Sequence, residues 1–310
     1  MPPRMPRLAC AVGLTLLLAV SCSTAPKETD EVTSVKTQAA QDSATGNGYL
    51  RQGRTVLALQ FFTQSLSEYT SIDDGAGIVS AYNSVGKAYM AMGSLDQAED
   101  MFTRARERAR AESPTLLFIS TNNLGELALA RGDAQKALGL FQEALAMPAA
   151  ARTPPQEAIV RHNIGTAEKN LGDLTEALKS YTQALDINLG RKLNAEAASD
   201  YYMIASVYSL QGSYGEAEAN AQLALSFDKR VENSPGIGQD LYALGLIARK
   251  RSDLPAAYDY FQRAYLVFTT VNLTAETRKL LGELASTADA LGRTAEGDAY
   301  RKTLAEMGPS

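Results

Sequence analysis

The chain has 310 residues, of which 45 % are apolar, 30 are basic and 35 are acidic. This mildly acidic balance, without a cluster of basic residues, argues against a nucleic-acid-binding protein, because such proteins carry a strongly basic surface. The two cysteines are Cys10 and Cys22, so no disulfide or thiolate metal site can form after residue 22.

The first 21 residues have the layout of a secretory signal peptide, with two arginines before an apolar run at residues 8–20. The run is too short to span a bilayer comfortably. It ends in the sequence AVSC at residues 19–22 and resembles the lipobox of bacterial lipoproteins, although the usual leucine lies one place early, at Leu18. The resemblance implies cleavage before Cys22 and its acylation, including a palmitate chain, which would anchor the protein to a membrane.

The residue after Cys22 is Ser23 rather than the aspartate that often retains lipoproteins in the inner membrane. The resemblance therefore implies an outer-membrane lipoprotein that faces the periplasm. The alternative is an ordinary secreted protein, cleaved at a nearby site between small residues. Residues 22–38 are rich in Ser, Thr, Ala, Lys and Glu, which predicts a flexible tether whose last part is helical.

One pattern recurs about every forty residues after the tether, and its clearest copy is residues 163–185. A turn residue is followed five positions later by a small residue, and a ring usually lies four positions beyond that. A second small residue, Gly165 in the clearest copy, precedes the turn by seven positions. The turn residues are Gly53, Gly93, Gly132, Gly172, Gly212, Ser252 and Gly292.

These spacings are helical. After the turn, a small residue, a ring and another small residue lie at i, i+4 and i+7, as Ala177, Tyr181 and Ala184 do in the clearest copy, and these positions share one helix face. Glycine at the turn allows the left-handed conformation that ends a helix. The pattern predicts pairs of packed helices. Their first helices are predicted to begin near Gly75, Pro114, Pro155, Ala195, Pro235 and Ala275.

This pattern resembles the tetratricopeptide repeat, although that repeat commonly has about 34 residues. The greater length is similar to the repeats of kinesin light chains and of some bacterial peptide-sensing regulators. The resemblance implies an all-α, right-handed superhelical solenoid of about seven helix-turn-helix repeats over residues 39–310. In such arrays the first helices line a concave groove.

The groove face of the first helices is where the resemblance places binding residues. The pairs Asn122-Asn123 and His162-Asn163 resemble the asparagine motif of light-chain-type repeats, in which amides hold the backbone of an extended peptide. An amide suits that role because it offers both a donor and an acceptor; the alternative is a merely solvated side chain. The predicted binding residues are Asn83, Lys87, Asn122, Asn123, Glu126, His162, Asn163, Thr166, Asn170, Tyr202, Met203, Ser206 and Tyr242.

The sequence therefore predicts a lipid-anchored scaffold that binds a protein or an extended peptide, in envelope assembly, secretion or pilus biogenesis. Two alternatives are the ligand-binding accessory protein of a transporter, with an apolar cavity around Met203, Leu210 and Leu246, and a homo-oligomeric structural element. His162 cannot form a metal site alone, and no nucleophile accompanies a base. We expect neither an enzyme nor a bound cofactor or metal, and no nucleic-acid partner.

Overall fold

The structure is a computed structural model that describes residues 30–308, so the predicted signal peptide, Cys22 and the start of the tether lie outside the described residues. The described part contains fourteen α-helices and no strand. The helices are α1 (Asp30–Arg51), α2 (Thr55–Ser71), α3 (Gly75–Ala91), α4 (Leu95–Glu112), α5 (Pro114–Ala130), α6 (Ala134–Ala146), α7 (Pro154–Leu171), α8 (Leu174–Gly190), α9 (Asn194–Leu210), α10 (Tyr214–Arg230), α11 (Ser234–Lys250), α12 (Leu254–Thr270), α13 (Thr274–Ala290) and α14 (Thr294–Glu306). A 3₁₀ turn at Ala149–Ala151 lies between α6 and α7.

Each odd-numbered helix packs against the even-numbered helix that follows it, which gives seven helix-turn-helix repeats stacked as a solenoid. The first helices α1, α3, α5, α7, α9 and α11 also touch one another in sequence, and no comparable contact joins the second helices within residues 30–308. The first helices therefore form the closely spaced inner layer of the stack. The predicted all-α fold is confirmed.

The turns inside the repeats have the predicted left-handed backbone. All six turn glycines have a positive φ, and Ser252, which replaces glycine in the sixth repeat, has φ of 64°. The first helices of repeats two to seven begin within one residue of their predicted starts. The glycines and prolines in the sequence therefore predicted the turns and the helix starts correctly.

A close contact between a glycine and a ring joins the two helices of most repeats. A Cβ atom added to Gly165 would lie 2.9 Å from the Tyr181 ring. The same contact joins Gly46, Gly86, Gly125 and Gly245 to Phe62, Phe102, Phe141 and Phe261. In the fifth repeat both partners change, because Ala205 replaces the glycine and Ala221 replaces the ring, and both are buried in one cluster. The fifth repeat therefore joins its two helices through two small side chains instead of a glycine and a ring.

The end of the predicted tether is a regular part of the solenoid, because α1 begins at Asp30 rather than near residue 39. Residues 30–45 contain neither glycine nor proline, so nothing interrupts the helix. Ala39 is fully buried, and the Ser65 hydroxyl donates to its carbonyl at 2.8 Å. Within the described residues, no helix is both long and apolar enough to cross a bilayer.

Candidate functional site

Three neighbouring clefts open between consecutive first helices in the C-terminal half. The histidine cleft, about 170 Å³, lies between α7 and α9 and is lined by His162, Asn188 and Asp200. The acidic cleft, about 190 Å³, lies between α9 and α11. The tyrosine cleft, about 210 Å³, lies between α11 and α13. The clefts follow one another along the inner layer.

The carboxylate of the histidine cleft is fully satisfied. Asp200 is 1 % exposed, and His162 Nδ1 lies 2.7 Å from its Oδ1. Asn188 Nδ2 donates to Asp200 Oδ2 at 2.8 Å. The His162 ring also packs edge-on against Tyr181, with 5.2 Å between the ring centroids. His162 therefore joins the fourth repeat to the fifth. Residues 30–308 contain no group of three or more side chains that could hold a metal ion, so His162 does not belong to such a group.

The acidic cleft places a second carboxylate where the histidine cleft has an amide. Asp228 and Asp240 follow Asn188 and Asp200 by 40 residues each, and they are 5 % and 2 % exposed. Burial and the neighbouring Asp228 charge raise the pKa of Asp240 to about 8. Burial also raises the pKa of Asp228, while Asn233 Nδ2 donates to its Oδ1 at 3.1 Å. The pair therefore holds a proton at neutral pH.

No cation balances this pair inside the described chain. No positively charged side chain between residues 30 and 308 pairs with Asp228 or Asp240, whose carboxyl groups hydrogen-bond to each other. The buried Asp240 Oδ2 accepts no hydrogen bond from an N–H or hydroxyl group there. No lysine or arginine lines the cleft. Two buried carboxyl groups without a cation are costly, because burial disfavours each charge and the second charge adds repulsion.

Tyr202 connects the acidic cleft to its neighbours. It occupies the place that His162 has one repeat earlier, and burial and the charge of Asp240 raise its pKa. Its side chain lines the acidic cleft, the tyrosine cleft and an aliphatic pocket of about 150 Å³ that includes Leu210, Leu246 and Ile247. Leu210 is 63 % exposed, so this aliphatic pocket is open to solvent. Met203 packs in a separate cluster and does not line it.

The tyrosine cleft is polar at its rim. The Tyr242 hydroxyl lies 3.5 Å from Glu283 Oε1, and the Lys279 ammonium group is 5.0 Å from the centre of the Tyr242 ring. Burial raises the pKa of Tyr242 to about 12, with the charge of Glu283 as the next cause. Tyr242 is therefore a hydrogen-bond donor at neutral pH.

In the N-terminal half the predicted asparagines are engaged with one another. Asn123 Nδ2 donates to Asn83 Oδ1 at 2.8 Å, and Asn83 Nδ2 donates to Ser120 Oγ at 2.9 Å. Asn123 is 1 % exposed and Asn83 is 5 % exposed. The structure thus places both in the interface between α3 and α5, because these positions face the neighbouring first helix and not solvent. Peptide binding by these amides stays a prediction, and it would require them to exchange partners.

A second set of amides joins α5 to α7. Asn163 Nδ2 lies 3.3 Å from Asn122 Oδ1 and 3.2 Å from Glu126 Oε1, which also accepts from Asn122 at 2.8 Å. Asn122 is buried, whereas Asn163 and Glu126 are half-buried. Asn163 also lines the histidine cleft, so its amide is accessible to a ligand.

The other predicted binding residues are spread along the same layer. Lys87 and Asn170 are exposed, and Thr166, Met203 and Ser206 are half-buried. From the predicted set, His162 and Asn163 line the histidine cleft, and Tyr202 and Tyr242 line the tyrosine cleft. Our sequence reasoning missed the buried acids Asp200, Asp228 and Asp240. A signal existed, since the positions matching Asp200 and Asp240 in the second, fourth and seventh repeats are Ala81, Val160 and Leu280.

A family model for the tetratricopeptide repeat matches residues 43–111, 77–150, 116–190 and 156–230, which together span more than half of the chain. The chain belongs to the tetratricopeptide repeat family. A curated relative, superkiller complex protein 3 from Mus musculus, is 29 % identical over 143 residues. That match covers 46 % of this chain but only 9 % of the mouse protein, so the likeness concerns a small part of it.

Solved tetratricopeptide-like structures share the fold at low sequence identity. The apo form of RapI is 10 % identical with a TM-score of 0.70, over 87 % of this chain and 76 % of that one. The apo quorum sensor NprR from B. thuringiensis is 16 % identical with a TM-score of 0.68, over 90 % and 80 %. A Rap protein complexed with competence and sporulation factor is 13 % identical with a TM-score of 0.63, over 90 % and 77 %.

Proposed function

We propose that this protein is a lipid-anchored scaffold of a bacterial cell envelope that binds an extended segment of a partner protein along its first helices. Acylated Cys22 would attach it to the outer membrane, facing the periplasm. Its role would be in envelope assembly, secretion or pilus biogenesis. No catalytic step is part of the proposal.

The observation that carries the binding proposal is the row of three clefts along the inner layer. Each cleft lies between two first helices and presents polar groups, so an extended segment crossing the helices would meet one cleft per repeat. One hydrogen bond contributes only about 0.5–1.5 kcal/mol, whereas a micromolar complex needs about 8 kcal/mol. Binding across several clefts supplies the required sum.

Two further observations support a segment of a partner over the other functions. A Rap protein with the same fold is known in complex with competence and sporulation factor. The aliphatic pocket beside Leu210 and Leu246 is open, whereas a small apolar ligand of a transporter would require an enclosed cavity. An open row of clefts suits a chain that passes along it.

Photo-crosslinking in intact cells tests the binding proposal. A benzoylphenylalanine at Gln239, which is exposed and lines both the acidic and the tyrosine clefts, should capture one partner reproducibly. The matched control is the same group at Gln222, an exposed position on the second helix α10. Equal capture at both positions, or capture at neither, would contradict binding along the first helices.

Membrane fractionation tests the anchor separately. Cys22→Ala should release the protein from the membrane fraction, because acylation needs the Cys22 thiol. Ser23→Ala is the control, since it changes the adjacent residue without removing the thiol. A Cys22→Ala protein that stays with the membrane would contradict the lipid anchor.

A further inference from the structure

The acidic cleft holds a charge arrangement that the fold does not require. The adjacent histidine cleft shows that Asn188 and Asp200 pack at the equivalent positions with all their hydrogen bonds made. In the acidic cleft Asp228 replaces the amide and Tyr202 replaces the histidine. Both replacements remove a nitrogen donor that faces the buried carboxylate, and Asp240 shares a hydrogen bond with Asp228 instead.

The Asp228 carboxylate lies directly against the backbone at the start of α11. A Cβ atom on Gly236 would collide with the Asp228 carboxylate and with the Asn233 amide. Gly236 lines the cleft together with Asp228, Asp240 and Gln239. The buried Asp240 Oδ2 accepts no hydrogen bond from an N–H or hydroxyl group of the described residues. A buried acceptor without a donor is suited to a hydrogen bond from a bound ligand.

We propose that the acidic cleft is a subsite for an organic cation, the guanidinium or ammonium group of a basic side chain. Asp228 and Asp240 would accept hydrogen bonds from the cation, and the Tyr202 ring would lie beside it. The source of the side chain rests on the proposed function, in which a partner segment crosses this cleft. The aliphatic pocket on the other side of Tyr202 would receive an apolar side chain of the same segment.

A metal ion fits the cleft less well than an organic cation. The described residues contain no group of three or more side chains that could ligate a metal, and the cleft supplies two carboxylates. Hard cations such as Ca²⁺ take about six to eight oxygen ligands. A volume of about 190 Å³ also exceeds what a single dehydrated ion fills.

The proton and the cation compete for the same carboxyl groups. The titratable groups that face Asp240 are Asp228 from α10 and Tyr202 from α9. Since the aspartate pair holds a proton at neutral pH, a cation must displace that proton to gain the full charge of both carboxylates. Cation binding should therefore strengthen as the pH rises from 6 to 8.5.

The test titrates the full-length protein in detergent with N-acetyl-L-arginine methylamide, followed by protein-observed NMR. The control probe is the citrulline analogue, which has nearly the same shape without the charge. The arginine probe should bind at least tenfold more tightly than the citrulline probe, and more tightly at pH 8.5 than at pH 6. Equal affinity for the two probes would overturn the proposal.

Two variants locate the binding in this cleft. Asp228→Asn and Asp240→Asn should each weaken the arginine probe at least tenfold, and Asp228→Asn should fold normally because it recreates the pairing seen between Asn188 and Asp200. Asp186→Asn, at an exposed acid on α8, should leave the affinity unchanged. Unchanged affinity in both cleft variants would overturn the assignment.

A third arm adds CaCl₂ or MgCl₂ to the protein with the arginine probe bound. Displacement of the arginine probe by micromolar Ca²⁺ or Mg²⁺, lost in Asp240→Asn, would overturn the organic-cation proposal in favour of a metal site. This experiment needs no partner protein. Its failure would leave the crosslinking result at Gln239 intact, and a failed crosslink would leave the arginine titration intact, so the two proposals are separated.

Discussion

The histidine cleft and the acidic cleft are equivalent junctions of one solenoid that treat a buried carboxylate in opposite ways. At the first, His162 and Asn188 satisfy both oxygens of Asp200. At the second, Asp228 faces Asp240 and no cation of the described chain balances them. Because the helices around both junctions follow the same pattern, the difference belongs to the side chains. The histidine cleft satisfies its carboxylate within the stack, whereas the acidic cleft leaves two buried carboxyl groups without a cation from the described residues.

The largest expected effect is on the pH dependence of stability. In the folded protein the pKa of Asp240 is raised to about 8, whereas the ordinary pKa of this carboxyl group is 3.8. The folded state thus binds more protons than the unfolded state between these pH values, so stability is present at low pH and is lost as the pH rises toward 8. The slope approaches about 1.4 kcal/mol per pH unit. Asp240→Asn should reduce this slope of the unfolding free energy against pH, measured by urea unfolding from pH 5 to 9.

The contrast with the histidine cleft supplies the control for that slope. Asp200→Asn should not flatten the loss of stability between pH 5 and 9, because Asp228 and Asp240 remain. An Asp240→Asn protein with the same slope as the wild type would contradict the unbalanced pair.

The second effect is the cost of breaking the satisfied junction. Asp200→Ala leaves His162 and the Asn188 amide without their acceptor in a buried interface. The free energy of unfolding should fall by about 1–3 kcal/mol, as expected for stranded polar groups. Urea denaturation at pH 7 measures it, with Asp186→Asn as an exposed control. A loss no larger than that of the control would show that the junction does not depend on Asp200.

The third effect separates the amides of the first helices by burial. Asn123→Ala should cost about 1–3 kcal/mol of unfolding free energy, because it strands Asn83 inside the interface between α3 and α5. Asn163→Ala should cost less than about 1 kcal/mol, since its amide is half-buried and makes longer contacts. Urea denaturation of both variants decides the ranking. The reverse order would mean that the half-buried amide is the structural one.

The smallest effect changes stability without touching either cleft. Ser252 holds a left-handed backbone that six equivalent turns give to glycine. Ser252→Gly should raise the free energy of unfolding by about 0.5–1 kcal/mol at every pH, because it relieves the Cβ strain. The pH slope should be that of the wild type. A changed slope would show that the turn and the acidic cleft are coupled.

The fold was predictable because its determinants are local and repeated. Each repeat carries its own turn residue, its own helix start and, in most copies, its own small residue opposite a ring. Because the pattern occurs in seven copies, it stays recognisable although one copy has Ala205 with Ala221. The start of α1 at Asp30 was harder to locate, because polar helix residues and polar linkers have similar compositions.

The site was only partly predictable because it depends on contacts between repeats. The periodicity identified which helices line the inner layer, and therefore included His162, Asn163 and Tyr202. It could not show that Asn123 reaches Asn83, a residue 40 positions away. It also did not draw attention to Asp228 and Asp240, since single acids on helices are usually solvated.

The most direct test of the contrast between the two clefts is a carbon-detected NMR titration of the aspartate side-chain carboxyl groups in the protein without added ligand. We expect Asp240 to keep a proton at pH 7 and to release it near pH 8, because burial and the neighbouring Asp228 raise its pKa. In Asp228→Asn the Asp240 signal should titrate at lower pH, since one cause of the shift is gone. Full ionisation of both Asp228 and Asp240 by pH 6 in the wild type would contradict the proton that we assign to this pair.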